Sequence, residues 1–132
     1  MNQDTICSIS TPVGTGAISI IRISGDNAIQ ACNAIFKPYG DDEISKKNHK
    51  KVVVGQIVET NSIIDEVVVT CFLSPQSYTG ENLIEIACHG SDYIQKKIIQ
   101  LLLRKDCRLA KNGEFTLRAF LNGKLDLSQA EG

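Results

Sequence analysis

The chain has 132 residues, 42% of them hydrophobic and 22% charged, with a formal net charge of −1. That is one ordinary globular domain with enough apolar material for a core of its own, and it excludes a uniformly basic nucleic-acid binder. The five cysteines, Cys7, Cys32, Cys71, Cys88 and Cys107, are odd in number and lack CxxC spacing, which argues against a disulfide framework or a zinc knuckle and for a reducing, cytoplasmic setting.

Thr5 to Ser10 is the first strand candidate, followed by the turn-rich loop Thr11-Pro12-Val13-Gly14-Thr15-Gly16. No GxxxxGK[ST] follows, so the glycines do not form a phosphate loop. Ala17 to Ser24 is a strong strand whose apolar run is interrupted by Arg22. Gly25-Asp26 then opens a helix with Asp26 as N-cap; Ala28, Ile29, Cys32, Ile35 and Phe36 keep helical spacing, and Lys37-Pro38 ends it. Tyr39 to Lys51 is polar and reads as an exposed loop, with His49 on the surface among lysines. Val52 to Glu59 and Asp65 to Leu73 are two strands flanking the turn residues Thr60-Asn61-Ser62.

The densest stretch runs from Ser77 to Gly90, SYTGENLIEIACHG. A turn signal at Tyr78-Thr79-Gly80-Glu81-Asn82 precedes an apolar strand, and Glu85 is the one charge inside that strand. A carboxylate there is costly unless something pairs with it. Arg22 and Glu85 are therefore either an internal ion pair or two walls of one polar pocket. Cys88 and His89 adjoin the same segment, but adjacent strand positions do not make a base–nucleophile pair, and ordinary burial is the expectation for Cys88.

Ser91 caps a helix whose apolar stripe is Ile94, Ile98, Leu101 and Leu102, with Asp92 at its start and Arg104-Lys105 at its end. A short strand at Arg108-Leu109-Ala110 follows, then a helix from Gly113 to Leu121 stopped by Asn122-Gly123, with Lys124 directly after. From Lys96 to Lys124 eight Lys/Arg face two acids, a local charge of +6 that suits an anionic ligand or partner. Ser128-Gln129-Ala130-Glu131 is a capping box, so a further helical portion is expected beyond it. The expected class is α+β, a mixed sheet with about three helices, organised as one domain over 1–124 and the start of a helical domain over 125–132.

Three segments together, DTICSISTPVGTGAISIIRISG, SYTGENLIEIACHG and GEFTLRAFLNGKLDLSQAE, resemble the N-terminal domain of the MnmE (TrmE) family of tRNA-modification GTPases. The resemblance implies a domain similar in fold to the folate-binding part of glycine-cleavage T-protein relatives, and it implies homodimerisation through this domain. It also implies binding of a reduced folate, 5-formyl- or 5,10-methylene-tetrahydrofolate, with contacts carried over to Arg22, Glu85 and Lys124. No catalytic residue and no metal ligand is implied within this stretch. GTP, potassium and magnesium belong to a G domain whose motifs lie outside the chain, as does the family's reactive C-terminal cysteine. An MnmG-like flavin-dependent partner and tRNA are the implied partners, without a membrane. Two positions depart from the family pattern: Ser91 where a second glycine is common, and Lys111-Asn112 where Glu-Pro is common. Two other readings are a free-standing folate-dependent aminomethyltransferase-like domain and an RNA-contacting or dimerising module that binds no folate.

Overall fold

A computed structural model of the chain describes residues 4–10 and 17–124. Seven strands form one sheet in the order β3-β4-β5-β6-β2-β1-β7, built from β1 (Thr5–Ile9), β2 (Ile18–Ser24), β3 (Phe36–Pro38), β4 (Val52–Glu59), β5 (Ser62–Phe72), β6 (Leu83–His89) and β7 (Cys107–Leu109). All neighbours are antiparallel except β1 and β7, so the sheet is mixed, and with three helices the class is α+β as expected.

The sheet has one covered face. Helices α1 (Ala28–Ile35) and α2 (Asp92–Leu103) lay their apolar stripes on it. Ala31, Cys32 and Ile35 of α1 and Ile98 and Leu102 of α2 pack in one cluster with Ile21 and Ile23 of β2, Val67 and Val69 of β5, and Ile84 and Ile86 of β6. Side chains alternate along a strand, so Arg22 and Glu85 project from the opposite face. Pairing of Thr70 with Glu85, Glu85 with Arg22, and Arg22 with Ser8 sets these four residues in one row across that face. The next row is apolar: Val54, Val68, Ala87 and Ile20. Helix α3 (Glu114–Leu121) flanks this second face near β1.

Four local expectations are corrected. The N-cap of α1 is Asn27, not Asp26, and no side chain caps the helix; Asn27 instead bonds outward, its backbone N–H donating to Thr5 Oγ1 (2.9 Å) and its amide to the Lys105 carbonyl (2.9 Å). Phe36 leaves the helix as the first residue of β3, paired with Ile57. The second hairpin strand begins at Ser62, because a register shift beside Ile57 and Val58 absorbs the extra residue and lets pairing continue to the turn. The 39–51 loop is not wholly exposed. Its one aliphatic residue, Ile44, is buried and held by both amide atoms of Asn33. His49 accepts the Leu73 N–H at Nδ1 (2.9 Å) and bonds Gln76 through Nε2 (2.8 Å), so it ties that loop to the end of β5. By contrast Ser91 caps α2 as read, accepting the Ile94 N–H. The capping box at 128–131 and the expected second domain lie outside the described residues.

All five cysteines are buried and unpaired. No helix among the described residues is long and apolar enough to cross a membrane.

Gly55 shows how tightly β3 sits on β4. A Cβ there would lie 2.4 Å from the Lys37 carbonyl oxygen and 2.7 Å from the Pro38 Cα, both backbone atoms that cannot swing aside. Gly55→Ala is expected to destabilise the chain by about 1–3 kcal/mol, the usual cost of overpacking, read as a fall in the urea midpoint. An unchanged midpoint would show that β3 does not close on β4 in solution.

Candidate functional site

The two intrusive charges meet. Arg22 Nε donates to Glu85 Oε2 at 2.9 Å, across the central β2–β6 pairing, and both side chains are about three-quarters buried. Among the described residues the second carboxylate oxygen of Glu85 has no hydrogen-bond partner. The Tyr78 ring covers the guanidinium, with its centroid 5.3 Å from Arg22 Cζ. A partly exposed pair of this kind contributes at most about 1 kcal/mol, and the stacked ring about as much. The fold therefore does not hang on this pair, which leaves its carboxylate and guanidinium free for recognition.

Beside Arg22 opens a cavity of about 320 Å³. Its floor is Ser8, Ile9 and Ser10 of β1 and its immediate sequel, one wall is Tyr78, and the other is Lys111 to Thr116 at the start of α3. A second, more apolar hollow of about 220 Å³ lies further along the same sheet face, between Ile18, Val54, Val68, Ala87 and His89.

Lys124 forms no hydrogen bond or ion pair with Arg22 or Glu85. It is exposed in the turn after α3, its N–H donating to the Ala119 carbonyl (2.8 Å). It does belong to the same loop cluster, because Asn122, two residues earlier, donates to the carbonyl of Thr79 (2.8 Å), the neighbour of Tyr78.

A polar network missed in the sequence underlies this corner. Arg118 is buried; its Nη1 donates to both oxygens of Glu81 (3.0 and 3.3 Å) and its Nη2 to Glu114 (3.4 Å). Glu81 also accepts from Ser24 Oγ (2.7 Å), and Ser24 shares a 2.7 Å hydroxyl contact with the buried Thr79. Glu114 takes a two-point grip from Arg108 (2.9 and 2.6 Å), whose Nε reaches Asp4 (3.0 Å). The signal available was the spacing of Glu114 and Arg118, one helical turn apart on the same face.

These pairings also reduce the charge that the 96–124 stretch has available for an anionic ligand or partner. Lys97 and Arg104 both close on Glu59, while Arg108 and Arg118 close on the acids just named. Half of the eight cations are thus neutralised within the fold. His89 likewise is engaged, its Nδ1 2.7 Å from Asp65 Oδ1 and its backbone N–H donating to Oδ2 (2.8 Å). Burial pushes the Cys88 thiol up to about 11, with Asp65 adding to the effect, which makes it a poor nucleophile near neutral pH.

The Arg108 guanidinium, helped by the Lys111 N–H and the charge of Arg118, holds the Glu114 carboxyl down at about 2, well below its ordinary 4.5. A depressed carboxylate stabilises the fold fully above its unfolded pKa, and that contribution fades as pH falls toward the folded value. Glu114→Gln is therefore expected to lower the urea midpoint at pH 7. Its gap from the wild type should narrow between about pH 4.5 and 2. A gap that stays constant through that window would refute the Arg108–Glu114 pairing.

Comparison with known proteins covers nearly the whole chain. The family model described as "GTP-binding protein TrmE N-terminus" matches residues 5–124. The chain is 56% identical over 131 residues to the tRNA modification GTPase MnmE of Flavobacterium johnsoniae, covering 99% of the chain and 28% of that protein. It is 51% identical over 129 residues to the MnmE proteins of Christiangramia forsetii, covering 98% of the chain and 27% of the relative, and of Clostridioides difficile, covering 98% and 28%. The chain thus spans little more than a quarter of the length of these curated relatives. On the family match and these identities, the chain belongs to the TrmE (MnmE) family and corresponds to the N-terminal part of its members.

Proposed function

We propose that this chain is the reduced-folate-binding and dimerising part of a cytoplasmic GTPase that modifies carbon 5 of the wobble uridine of certain tRNAs, using a one-carbon unit carried by 5-formyl- or 5,10-methylene-tetrahydrofolate. The observation that carries the reading is the Arg22–Glu85 pair on the uncovered sheet face, half-sheltered beside a cavity of about 320 Å³. A reduced pterin presents an amino group and a ring N–H side by side. A carboxylate has about four lone-pair sites, so Glu85 can accept that donor pair while one oxygen keeps its bond from Arg22. Arg22 or Lys124 supplies positive charge for the carboxylates of the folate tail. In this reading the fold shares its ligand mode with glycine-cleavage T-protein relatives. Hydrolysis of GTP, with potassium and magnesium, and cooperation with an MnmG-like flavin-dependent partner on tRNA belong to the remaining length of the protein. The internal pairing of Lys97, Arg104, Arg108 and Arg118 counts against a module that works by gripping RNA alone.

Dimerisation has a surface to use. Ile18, Val54 and Val68 stand exposed on the sheet face that α1 and α2 leave open, around the apolar hollow. Sedimentation equilibrium is expected to report a dimer at micromolar concentration, and Val68→Lys to shift it toward monomer. A monomer well above that concentration counts against the proposal.

Calorimetric titration with 5-formyltetrahydrofolate tests the site. Glu85→Gln replaces one acceptor with a donor that faces the pterin's own donors, and losing such a charged partner costs about 2–5 kcal/mol, a weakening of tens-fold or more. Its melting temperature should fall only slightly, because the pair with Arg22 is partly exposed. Unchanged affinity in a folded Glu85→Gln protein would sink the assignment.

A further inference from the structure

We propose that Arg118 is a positioning residue for the Arg22–Glu85 site, acting at a distance through Glu81 and the 77–82 loop. The chain of contacts is continuous. Arg118 is only 3% exposed and donates to Glu81 from α3, while Ser24 donates to the same carboxylate from the end of β2. Glu81 is thereby held between helix and sheet, and it carries the loop with it. Thr79, fully buried, is bonded to Ser24 on one side, and its carbonyl takes the Asn122 amide on the other. Gly80 presses on Asn122 so closely that a Cβ would lie 2.7 Å away, and its φ of +82° is one that side-chain-bearing residues rarely adopt. With both flanks fixed, Tyr78 has one place to go. Its hydroxyl meets Thr116 Oγ1 (3.2 Å) and its ring lies over the Arg22 guanidinium.

The consequence is that Arg22 is aimed by a residue it never touches. A guanidinium on a solvent-facing strand position has several rotamers; the ring above it and Glu85 beside it leave one. Substitution of Arg118 therefore frees the loop, lifts the ring and disperses Arg22. The effect on a ligand rests on the folate reading, but the effect on Tyr78 does not.

The chain contains no tryptophan, so Tyr78→Trp installs a single reporter on the ring that covers Arg22. In that background Arg118→Lys and Glu81→Gln are each expected to red-shift the ligand-free emission as the indole enters water. Arg108→Gln breaks the other arm of the network, the grip on Glu114, and is expected to leave the emission in place. Where Arg118→Lys fails to fold, Glu81→Gln decides, since it keeps the shape of the carboxylate it replaces. Unshifted emission in a folded Arg118→Lys or Glu81→Gln protein overturns the proposal, and so does an equal shift from Arg108→Gln, which would mean general loosening. Affinity for 5-formyltetrahydrofolate should fall about tenfold in the shifted variants, the size expected when a stacked cation is released. If the unsubstituted protein binds no 5-formyltetrahydrofolate, the folate reading fails while the emission result still judges the role of Arg118.

Discussion

The antiparallel pairing of β2 with β6 is the constraint on which the rest of the molecule depends. Seven consecutive residue pairs, from Ile18 opposite His89 to Ser24 opposite Leu83, fix it at the middle of the sheet. A slip of β2 by one residue would turn Arg22 inward toward Ile84 and Ile86 and turn Ile21 and Ile23 out to solvent, and a slip of β6 would do the same with Glu85. The cost of an unmatched buried charge far exceeds any benefit of packing. The pair contributes little stability as an ion pair, yet it guards the register strongly. The residues suited to meeting a ligand are thus also the ones that forbid the wrong sheet.

Around that centre the fold divides its labour between two faces. The covered face holds the apolar mass, with α1 and α2 seated on the isoleucine and valine rows. The other face is organised by polar links: Asp4 to Arg108, Arg108 to Glu114, Glu114 to Arg118, Arg118 to Glu81, and Glu81 to Ser24. That path joins the residue before β1, strand β7, helix α3, the loop before β6 and the end of β2, segments far apart in sequence. Apolar packing gives the domain its stability, whereas this network gives one corner a single geometry.

Much of this was legible because local chemistry and tertiary need agreed. Arg22 and Glu85 stood out as lone charges in apolar strands, and the alternation of those strands already put them on a common type of face. Ser91 was legible as a cap because its hydroxyl needs only the backbone three residues on. What escaped was settled by partners distant in sequence. Asp26 and Asn27 are equally good caps by chemistry, and Thr5 and Lys105 claim Asn27 and set the start of α1 there. The pairing of the 96–124 cations escaped because Glu59, Glu81 and Asp4, which meet four of them, are distant in sequence: Glu59 lies 38 residues from Lys97 and 45 from Arg104, Glu81 lies 37 from Arg118, and Asp4 lies 104 from Arg108. Ile44 was one apolar residue in a polar loop, and no periodicity marks a single anchor.

The five buried thiols carry a practical consequence. Burial raises Cys7 to about 12 and Cys107 to about 11, and pushes Cys32 and Cys71 upward as well, so hardly any thiolate meets solvent while the sheet and helices stay closed. Reaction with an alkylating reagent then requires opening, and each cysteine marks a different part of the chain: Cys7 on β1, Cys32 on α1, Cys71 on β5, Cys88 on β6 and Cys107 on β7. The rate at which each becomes labelled is a built-in clock for the opening of its own element. Read together by peptide mass, the five clocks would map which parts of the sheet let go first, without a single substitution.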